Sequence, residues 1–120
     1  MRIGEVAHQT QLSTSRIRFY EEQGLIPAAR RLRNGYRDYP DSTASTLNMI
    51  RQAQSFGFSL AEIRLAMRAK VPRGRQQDHF LRLLQAKLLE VDRHLAQMKQ
   101  ARVRLRAKIA MLEANGAIPL

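Results

Sequence analysis

The stretch that decides the fold lies at residues 13–27 and reads STSRIRFYEEQGLIP. Ser13 is a residue type that caps the start of a helix, and Gly24 is typical of the position just past a helix end. Pro27 then prevents the helix from continuing, because it lacks a backbone N–H and clashes with the preceding turn. Together these signals predict a helix that begins after Ser13 and ends at about Gln23.

This helix carries two faces of different chemistry. Ile17 and Tyr20 share one face by helical periodicity. Thr14, Ser15 and Arg18 lie roughly opposite, where they form a short ridge of hydrogen-bond donors of a size that fits a DNA major groove. The arginine is able to bridge guanine acceptors or a phosphate, and the hydroxyls to contact phosphates or base edges. The pattern predicts a groove-binding helix without assigning the bases that it reads.

A shorter helix precedes this one. Ile3, Val6 and Ala7 follow the i, i+3, i+4 spacing of an amphipathic helix, and the pattern breaks near Gln11. Two helices separated by three or four residues have the proportions of a helix-turn-helix. The chain therefore opens with a predicted helix-turn-helix.

A two-stranded β-hairpin, a wing, is predicted over residues 30–39. Asn34-Gly35 is the dipeptide that best accommodates a hairpin turn, and the strand-favouring Tyr36 and Tyr39 lie beside it. The first eight residues of this segment contain four arginines and no acid, and each arginine is able to neutralise a DNA phosphate. These arginines are Arg30, Arg31, Arg33 and Arg37.

Two further short helices complete the first part of the chain. The third ends at Gly57, and the fourth opens with a capping box, in which Ser59 caps the amide of Glu62 while the Glu62 carboxylate reaches back. A proline and a glycine then mark a linker over residues 71–75. The part before it, residues 1–70, is predicted to be a winged helix-turn-helix DNA-binding domain.

A long helix is predicted over residues 76–113, which contain neither proline nor glycine. Nine of ten positions in alternating three- and four-residue spacing are apolar, a heptad seam that favours a coiled coil. Such a seam needs a partner, either a second copy of the chain or, as the alternative, its own N-terminal domain.

Arg102 occupies the tenth position of the seam. It is interpreted as a residue that fixes the register of the coiled coil, or as a contact to an anionic effector. Residues 114–120 are predicted to form a short tail. The predicted dimerisation residues are Leu81, Leu84, Leu88, Val91, Leu95, Met98, Leu105, Ile109 and Leu112.

The composition narrows the function classes. The chain has 120 residues and carries 21 Lys and Arg against 10 Asp and Glu, a formal net charge of +11 that favours a polyanionic partner, nucleic acid before membrane. The absence of cysteine excludes disulfides, thiolate metal sites and thiol catalysis. No apolar run is long enough to span a membrane and the start is no signal peptide, so we expect a cytoplasmic, soluble protein without a membrane partner.

Catalysis finds little support in the sequence. The histidines lie in different elements without a carboxylate at ligand or triad spacing, and we expect no enzyme activity, no metal and no cofactor. Asp78 and its neighbouring histidine are interpreted as a helix N-cap with an exposed imidazole, or as part of a ligand site at a dimer interface. The adjacent Glu21 and Glu22 are interpreted as a solvated face or as a salt bridge from Arg18 to Glu22. The three histidines are His8, His79 and His94.

Four motifs follow one another along the chain. They are Ile3-Gly4-Glu5-Val6-Ala7, then Arg18-Phe19-Tyr20-Glu21 with Gly24-Leu25-Ile26-Pro27, then Arg30 to Tyr39 ending in Gly35-Tyr36-Arg37-Asp38-Tyr39, and finally Gly57-Phe58-Ser59-Leu60-Ala61-Glu62-Ile63. In this order and spacing they resemble the MerR family of bacterial transcription regulators, and they are a stronger signal than a helix-turn-helix alone. The similarity covers Ile3 to about Met67 and continues in architecture to Glu113.

The resemblance implies a mainly α fold, with a winged helix-turn-helix domain followed by a long helix that pairs as an antiparallel coiled-coil homodimer. It implies that Arg18 and Tyr20 occupy DNA-contact positions and that the wing around Tyr36 and Arg37 grips the backbone. Family members sit on double-stranded palindromes within a long promoter spacer, and effector binding makes them distort that DNA and so realign RNA polymerase. The predicted DNA-binding residues are Thr14, Ser15, Arg16, Arg18, Tyr20, Arg31, Arg33, Gly35, Tyr36 and Arg37.

The sequence also departs from the family pattern. Gln11 stands at a turn position usually held by glycine, where a left-handed conformation costs about 1–2 kcal/mol, and Phe19 replaces a common tyrosine. The cysteines of the metal and redox sensors are absent, so we expect the inducer to be an unknown small molecule at the dimer interface, or to be lacking. Two other functions stay open: an architectural DNA-binding protein without an effector, and a coiled-coil protein-interaction module.

Overall fold

The computed structural model describes residues 1–116 and is mainly helical. The chain divides into two compact units, Met1–Lys70 and Val71 onward, and the linker predicted at residues 71–75 lies between the fourth helix and the fifth. The elements of the described residues are α1 Ile3–Thr10, α2 Thr14–Glu22, β1 Arg30–Arg31, β2 Arg37–Asp38, α3 Thr43–Ser55, α4 Leu60–Arg68 and α5 Gln76–Asn115.

The first two helices form the predicted helix-turn-helix. Gln11 caps the end of α1, and its φ of 59° and ψ of 23° are left-handed, so a glutamine makes the turn that the family pattern gives to glycine. The Gln11 side-chain amide donates to the carbonyl of His8 at 3.0 Å. The N-cap predicted for α2 is confirmed, because the Ser13 hydroxyl accepts from the N–H of Arg16 at 3.1 Å.

The end of α2 is a Schellman motif built on Gly24. This glycine has a φ of 74°, a left-handed conformation that a side chain would strain. The N–H of Leu25 donates to the carbonyl of Tyr20 at 3.0 Å, and the N–H of Gly24 donates to that of Glu21 at 3.0 Å. The turn directs Leu25 and Ile26 into the core, where both are buried.

The wing is a hairpin of β1 and β2, which pair antiparallel. Leu32 donates its N–H to the carbonyl of Tyr36 at 2.8 Å and accepts from the N–H of Gly35 at 3.0 Å, so the loop consists of residues 33–35. Gly35 has a φ of 83°, whereas Asn34 keeps a negative φ. The predicted hairpin is therefore confirmed, and its turn is a three-residue loop with a glycine bulge rather than a two-residue Asn-Gly turn. The cross-strand pairs are Arg30 with Asp38 and Arg31 with Arg37.

One apolar core joins the four short helices and the end of the wing. Ile17 of α2 and Leu47 and Ile50 of α3 are fully buried. Burying a side chain of this size stabilises the fold by about 1.5–3 kcal/mol. Because the core includes residues of α2 and of the wing, it fixes both within one unit. Its buried members are Val6, Ile17, Tyr20, Leu25, Ile26, Tyr39, Leu47, Ile50 and Ile63.

α4 begins with the predicted capping box, which is confirmed. The Ser59 hydroxyl accepts from the N–H of Glu62 at 3.1 Å, and the Glu62 carboxylate accepts from the N–H of Ser59 at 3.0 Å. Two of the N–H groups that a helix start leaves unpaired are thereby satisfied.

The second unit consists mainly of α5, a helix of 40 residues and hence about 60 Å long. The helix was predicted to end at residue 113 and ends at Asn115. Gly116 caps it in a left-handed conformation, and its N–H donates to the carbonyl of Leu112 at 2.9 Å. Residues 114 and 115 of the predicted tail therefore belong to the helix, and residues 117–120 lie outside the described part of the chain. None of the helices within residues 1–116 is long and apolar enough to cross a membrane.

Candidate nucleic-acid interface

The outward face of α2 carries the predicted donor ridge. Thr14, Ser15, Arg16 and Arg18 are all exposed, whereas Ile17 between them is fully buried. Thr14, Ser15 and Arg18 are the predicted donors, and we call these three residues the ridge. Arg16 is exposed as well, on another side of the helix.

Tyr20 is a core residue, which corrects the prediction that it contacts DNA. Its side chain is 2% exposed, and its hydroxyl donates to the Oε1 atom of Gln54 at 2.6 Å. A buried ring whose hydroxyl already has a partner cannot reach DNA unless the core is unpacked. The guanidinium of Arg16 lies over the rings instead, 4.7 Å from the centroid of Phe19 and 5.0 Å from that of Tyr20.

Two arginines outside the ridge hold the helix-turn-helix in place. Arg64 of α4 donates through Nε and Nη2 to the carbonyl of Gln23, at 3.1 and 2.9 Å, just past the end of α2. Arg51 of α3 donates to the carbonyl of Thr10 at the end of α1. Helix ends leave carbonyls unpaired, and these guanidinium groups satisfy two of them. Sequence reasoning did not single out either arginine.

The wing presents most of its predicted residues to solvent. The Tyr36 ring is 55% exposed, and the guanidinium of Arg2 lies 4.3 Å from its centroid. This contact adds a positive charge beside the wing that the sequence patterns did not indicate. The exposed predicted residues are Arg31, Arg33, Gly35 and Tyr36, together with Arg30.

The last wing arginine, Arg37, faces an acid. Its Nη1 atom lies 3.8 Å from the Oε1 atom of Glu21, whose side chain is only 15% exposed. Glu21 also accepts from the Tyr39 hydroxyl at 2.6 Å and from the N–H of Ala29 at 3.2 Å. Burial raises the pKa of Tyr39, and its hydrogen bond to the Glu21 carboxylate raises it further. The solvated face predicted for the acidic pair is therefore wrong for Glu21 and correct for Glu22, which is exposed.

The end of β2 is also held by the main chain of Met1. The Met1 ammonium donates to Asp38 Oδ1 at 2.8 Å and to the carbonyl of Tyr39 at 2.7 Å, and the N–H of Tyr39 donates to the carbonyl of Met1 at 2.6 Å. The hydrogen bond with Asp38 raises the pKa of the amine and lowers the pKa of the carboxyl. Both groups are thereby held in their charged forms near neutral pH.

The start of α5 differs from its predicted form. Arg75 is the N-cap residue, and Asp78 lies in the first turn with its Oδ2 atom 3.2 Å from Nη1 of Arg75. His79 is half-buried, and its Nε2 atom has no hydrogen-bond partner within the described residues. The predicted Asp78 N-cap and exposed imidazole are therefore both wrong. No cluster of three or more His, Cys, Asp or Glu side chains able to hold a metal occurs within residues 1–116.

The apolar seam of α5 is uncovered in the single chain. Eight of its nine predicted apolar members are between 44% and 62% exposed, and Leu112 is half-buried. A contiguous exposed apolar stripe of this length marks an interaction surface. Arg102 lies on the same helix and is exposed.

Comparison with known proteins gives one consistent family. Residues 1–70 match the family described as MerR HTH family regulatory protein, and residues 44–114 match the one described as MerR, DNA binding. The chain is 38% identical over 115 residues to the HTH-type transcriptional regulator CueR of Salmonella typhi, covering 95% of this chain and 80% of that protein.

Two solved structures have the same fold. The transcription regulator PbrR691 from Ralstonia metallidurans CH34, in complex with lead(II), superimposes with a TM-score of 0.59 at 30% identity, covering 95% of this chain and 84% of that one. HiNmlR, a MerR family regulator lacking the sensor domain and bound to promoter DNA, gives a TM-score of 0.60 at 24% identity and covers 98% and 91% of the two chains. The second similarity is one of fold alone.

Proposed function

The chain belongs to the MerR family of DNA-binding transcriptional regulators, and we propose that it acts as a homodimer on a palindromic promoter site that it distorts. One observation carries this proposal. A single folded unit presents an exposed donor ridge and an arginine-rich wing, and the long helix that follows presents an uncovered apolar seam. The first two surfaces suit DNA, and the third suits a second copy of the chain.

The ridge and the wing have different roles in this proposal. The ridge, with Arg18 and the hydroxyls of Thr14 and Ser15, enters the major groove, where base edges differ in their donor and acceptor patterns. The wing arginines lie on phosphates, which supply affinity that depends on salt but carries little sequence information. Arg16, which lies over two aromatic rings, is suited to a phosphate beside the groove.

The spacing of the seam favours one arrangement of the two long helices. We consider the two helices antiparallel about an axis between residues 96 and 97. Leu81 of one chain then lies opposite Leu112 of the other, and every other seam residue also lies opposite a seam residue of the partner. No seam residue is left uncovered. In this register Arg102 packs beside Val91. Asp92 also faces Lys99 across the interface, an opposite-charge pair on each side of the axis.

Cysteine cross-linking tests this register, because the 120 residues contain no cysteine of their own. Asp92→Cys and Lys99→Cys lie seven residues apart, about 10 Å along one helix, too far for a disulfide within one chain. We expect a mixture of the two variants to form a covalent dimer and each variant alone to form little. Self-linking of Lys99→Cys would indicate a register shifted by one heptad with its axis at about residue 100, and self-linking of Asp92→Cys one with its axis at about residue 93. No linking at all would contradict all three of these registers.

The proposed mode of regulation is deformation of promoter DNA. Bending and untwisting a site costs on the order of several kcal/mol, which contacts from two ridges and two wings offset. RNA polymerase is then affected through the shape of the promoter. We infer that the protein acts in the cytoplasm, where bacterial promoters lie, and without catalysing a reaction.

The absence of cysteine bears on which effector the protein binds. PbrR691 is described with bound lead(II), and soft metals of this kind favour thiolate ligands. The 120 residues here contain no cysteine. We therefore infer a small-molecule effector at the dimer interface, or regulation without an effector, rather than a thiolate-bound metal.

Gel-shift titration tests the DNA-binding part. Duplexes selected by the protein from a randomised pool are compared with scrambled versions of the same composition at several salt concentrations. We expect the selected duplexes to be palindromic and to bind more tightly than the scrambled ones. Equal affinities would contradict sequence-specific regulation and favour an architectural role, and no binding at low salt would favour a protein-interaction module.

A further inference from the structure

The carboxylate of Glu21 connects the recognition helix to both ends of the wing. Its Oε2 atom accepts from the N–H of Ala29, the residue before β1, at 3.2 Å. Its Oε1 atom accepts from the hydroxyl of Tyr39, the residue after β2, at 2.6 Å. The same oxygen lies 3.8 Å from the guanidinium of Arg37 within β2. One side chain of α2 therefore contacts the hairpin where it begins, where it ends and between.

The Glu21 carboxylate is largely shielded from solvent, which strengthens its hydrogen bonds. Its side chain is 15% exposed, so its hydrogen bonds are shielded from competition with water. Both of its oxygens accept a hydrogen bond, one from the N–H of Ala29 and one from the hydroxyl of Tyr39. Hydrogen bonds to a charged carboxylate are stronger than those between neutral groups. Tyr39 is itself buried in the core at 1% exposure, which fixes the hydroxyl that Glu21 accepts from.

We propose that Glu21 is a positioning residue for DNA binding, which sets the wing arginines relative to the ridge so that both surfaces engage one duplex together. This inference rests on the proposed DNA-binding surfaces. Two linked contact surfaces strengthen binding only when their spacing matches the target, and that spacing is lost if the hairpin moves independently of α2. Glu21 itself does not contact DNA in this proposal.

The direction in which Glu21→Gln changes the affinity for DNA separates a positioning role from a purely electrostatic effect of the charge. Glu21→Gln removes a negative charge from beside an arginine, a change that ordinarily strengthens binding to a polyanion. If Glu21 positions the wing, the same change weakens binding, because the amide has only one accepting oxygen and no charge to hold Arg37. Glu22→Gln is the matched control, since it removes the same charge from the adjacent, exposed position.

The salt dependence of binding supplies a second readout that a loss of stability alone does not change. Each phosphate contact contributes about 0.9 to the slope of log affinity against log salt concentration. We expect Glu21→Gln to lower the slope by roughly 1–3 and to weaken binding about tenfold, as when one or more phosphate contacts are lost. Glu22→Gln is expected to keep the slope and to bind as tightly as wild type, or more tightly.

The experiment uses the full chain and the duplexes selected from the randomised pool. Binding is measured well below the melting temperature of each variant, recorded by circular dichroism. Tyr39→Phe is the second variant: it keeps the ring in the core, removes one donor to Glu21, and is expected to lower the slope in the same direction. If Glu21→Gln fails to fold, the slope of Tyr39→Phe decides.

The outcomes are separable from those of the proposed function. If wild type binds no duplex, the proposed function fails. If wild type binds DNA, the decisive variant is Glu21→Gln, or Tyr39→Phe where Glu21→Gln does not fold. A wild-type salt slope with equal or tighter affinity in that variant overturns the positioning role and leaves DNA binding intact.

Discussion

The left-handed residue that ends α1 allows a sharp test of the helix-turn-helix geometry. Gln11 has a φ of 59°, a conformation that costs a non-glycine residue about 1–2 kcal/mol. Gln11→Gly removes this cost. Against that gain, glycine loses about 0.5–1 kcal/mol more backbone entropy on folding, and the exposed hydrogen bond to His8 is lost. We expect a net gain of about 0.5 kcal/mol in the free energy of unfolding, or roughly 2–4 °C in melting temperature.

Gln11→Ala is the control that isolates the backbone term. It loses the same hydrogen bond but keeps the left-handed strain, so glycine should exceed alanine in stability by about 1 kcal/mol. Both variants are measured by urea denaturation at one fixed protein concentration, because association makes apparent stability depend on concentration. Alanine equal to or more stable than glycine would refute the left-handed turn at this position.

Four other substitutions test separate parts of the structure. Leu47→Ala empties a fully buried site and should lower the free energy of unfolding by about 2–5 kcal/mol in urea titration. Arg18→Ala should reduce the preference for selected over scrambled duplexes by about 1–3 kcal/mol, and an unchanged ratio would exclude it as a base reader. Tyr20→Phe should cost about 0.5–1.5 kcal/mol of stability and leave the salt slope of DNA binding unchanged, and a lower slope would restore Tyr20 as a phosphate contact. Asp38→Asn tests the ion pair with the Met1 amine. The pair should stabilise the fold fully between the ordinary pKa values of its two groups, 3.8 for the carboxyl and 8.0 for the amine. At lower pH the carboxyl is protonated and at higher pH the amine loses its proton, so the stabilisation is lost in both directions. The difference in unfolding free energy between wild type and Asp38→Asn, followed across pH, should therefore shrink at both ends; a difference independent of pH would contradict the ion pair.

The parts of the fold that follow local rules could be predicted from the sequence. The Ser13 cap, the Gly24 helix end and the capping box at Ser59 each depend on a few neighbouring residues, and all three are present. Helical periodicity placed Ile17 and Tyr20 on one face, and both are buried. The resemblance assigned Tyr20 to a DNA contact, which its burial in the core does not favour.

The parts that depend on distant residues could not be predicted in this way. Glu21 meets Tyr39 across 18 positions, and the Met1 amine meets Asp38 across 37. Helical spacing places Glu21 four residues after the buried Ile17 and Glu22 four residues after the exposed Arg18, so it indicates which acid faces inward. It does not give the partners of Glu21, which the packed hairpin supplies. The left-handed φ of Gln11 was indicated by the resemblance alone, because glutamine itself prefers other conformations.

The uncovered seam of α5 bears on how promoter occupancy responds to the amount of protein in the cell. Eight apolar side chains of the seam are about half exposed along one chain, and in the proposed homodimer a second chain covers them. If the pair is the form that holds a palindrome, its abundance at low expression rises with the square of the number of chains. A doubling of synthesis then raises occupancy up to fourfold, so the regulator responds to its own expression level more steeply than a monomer would.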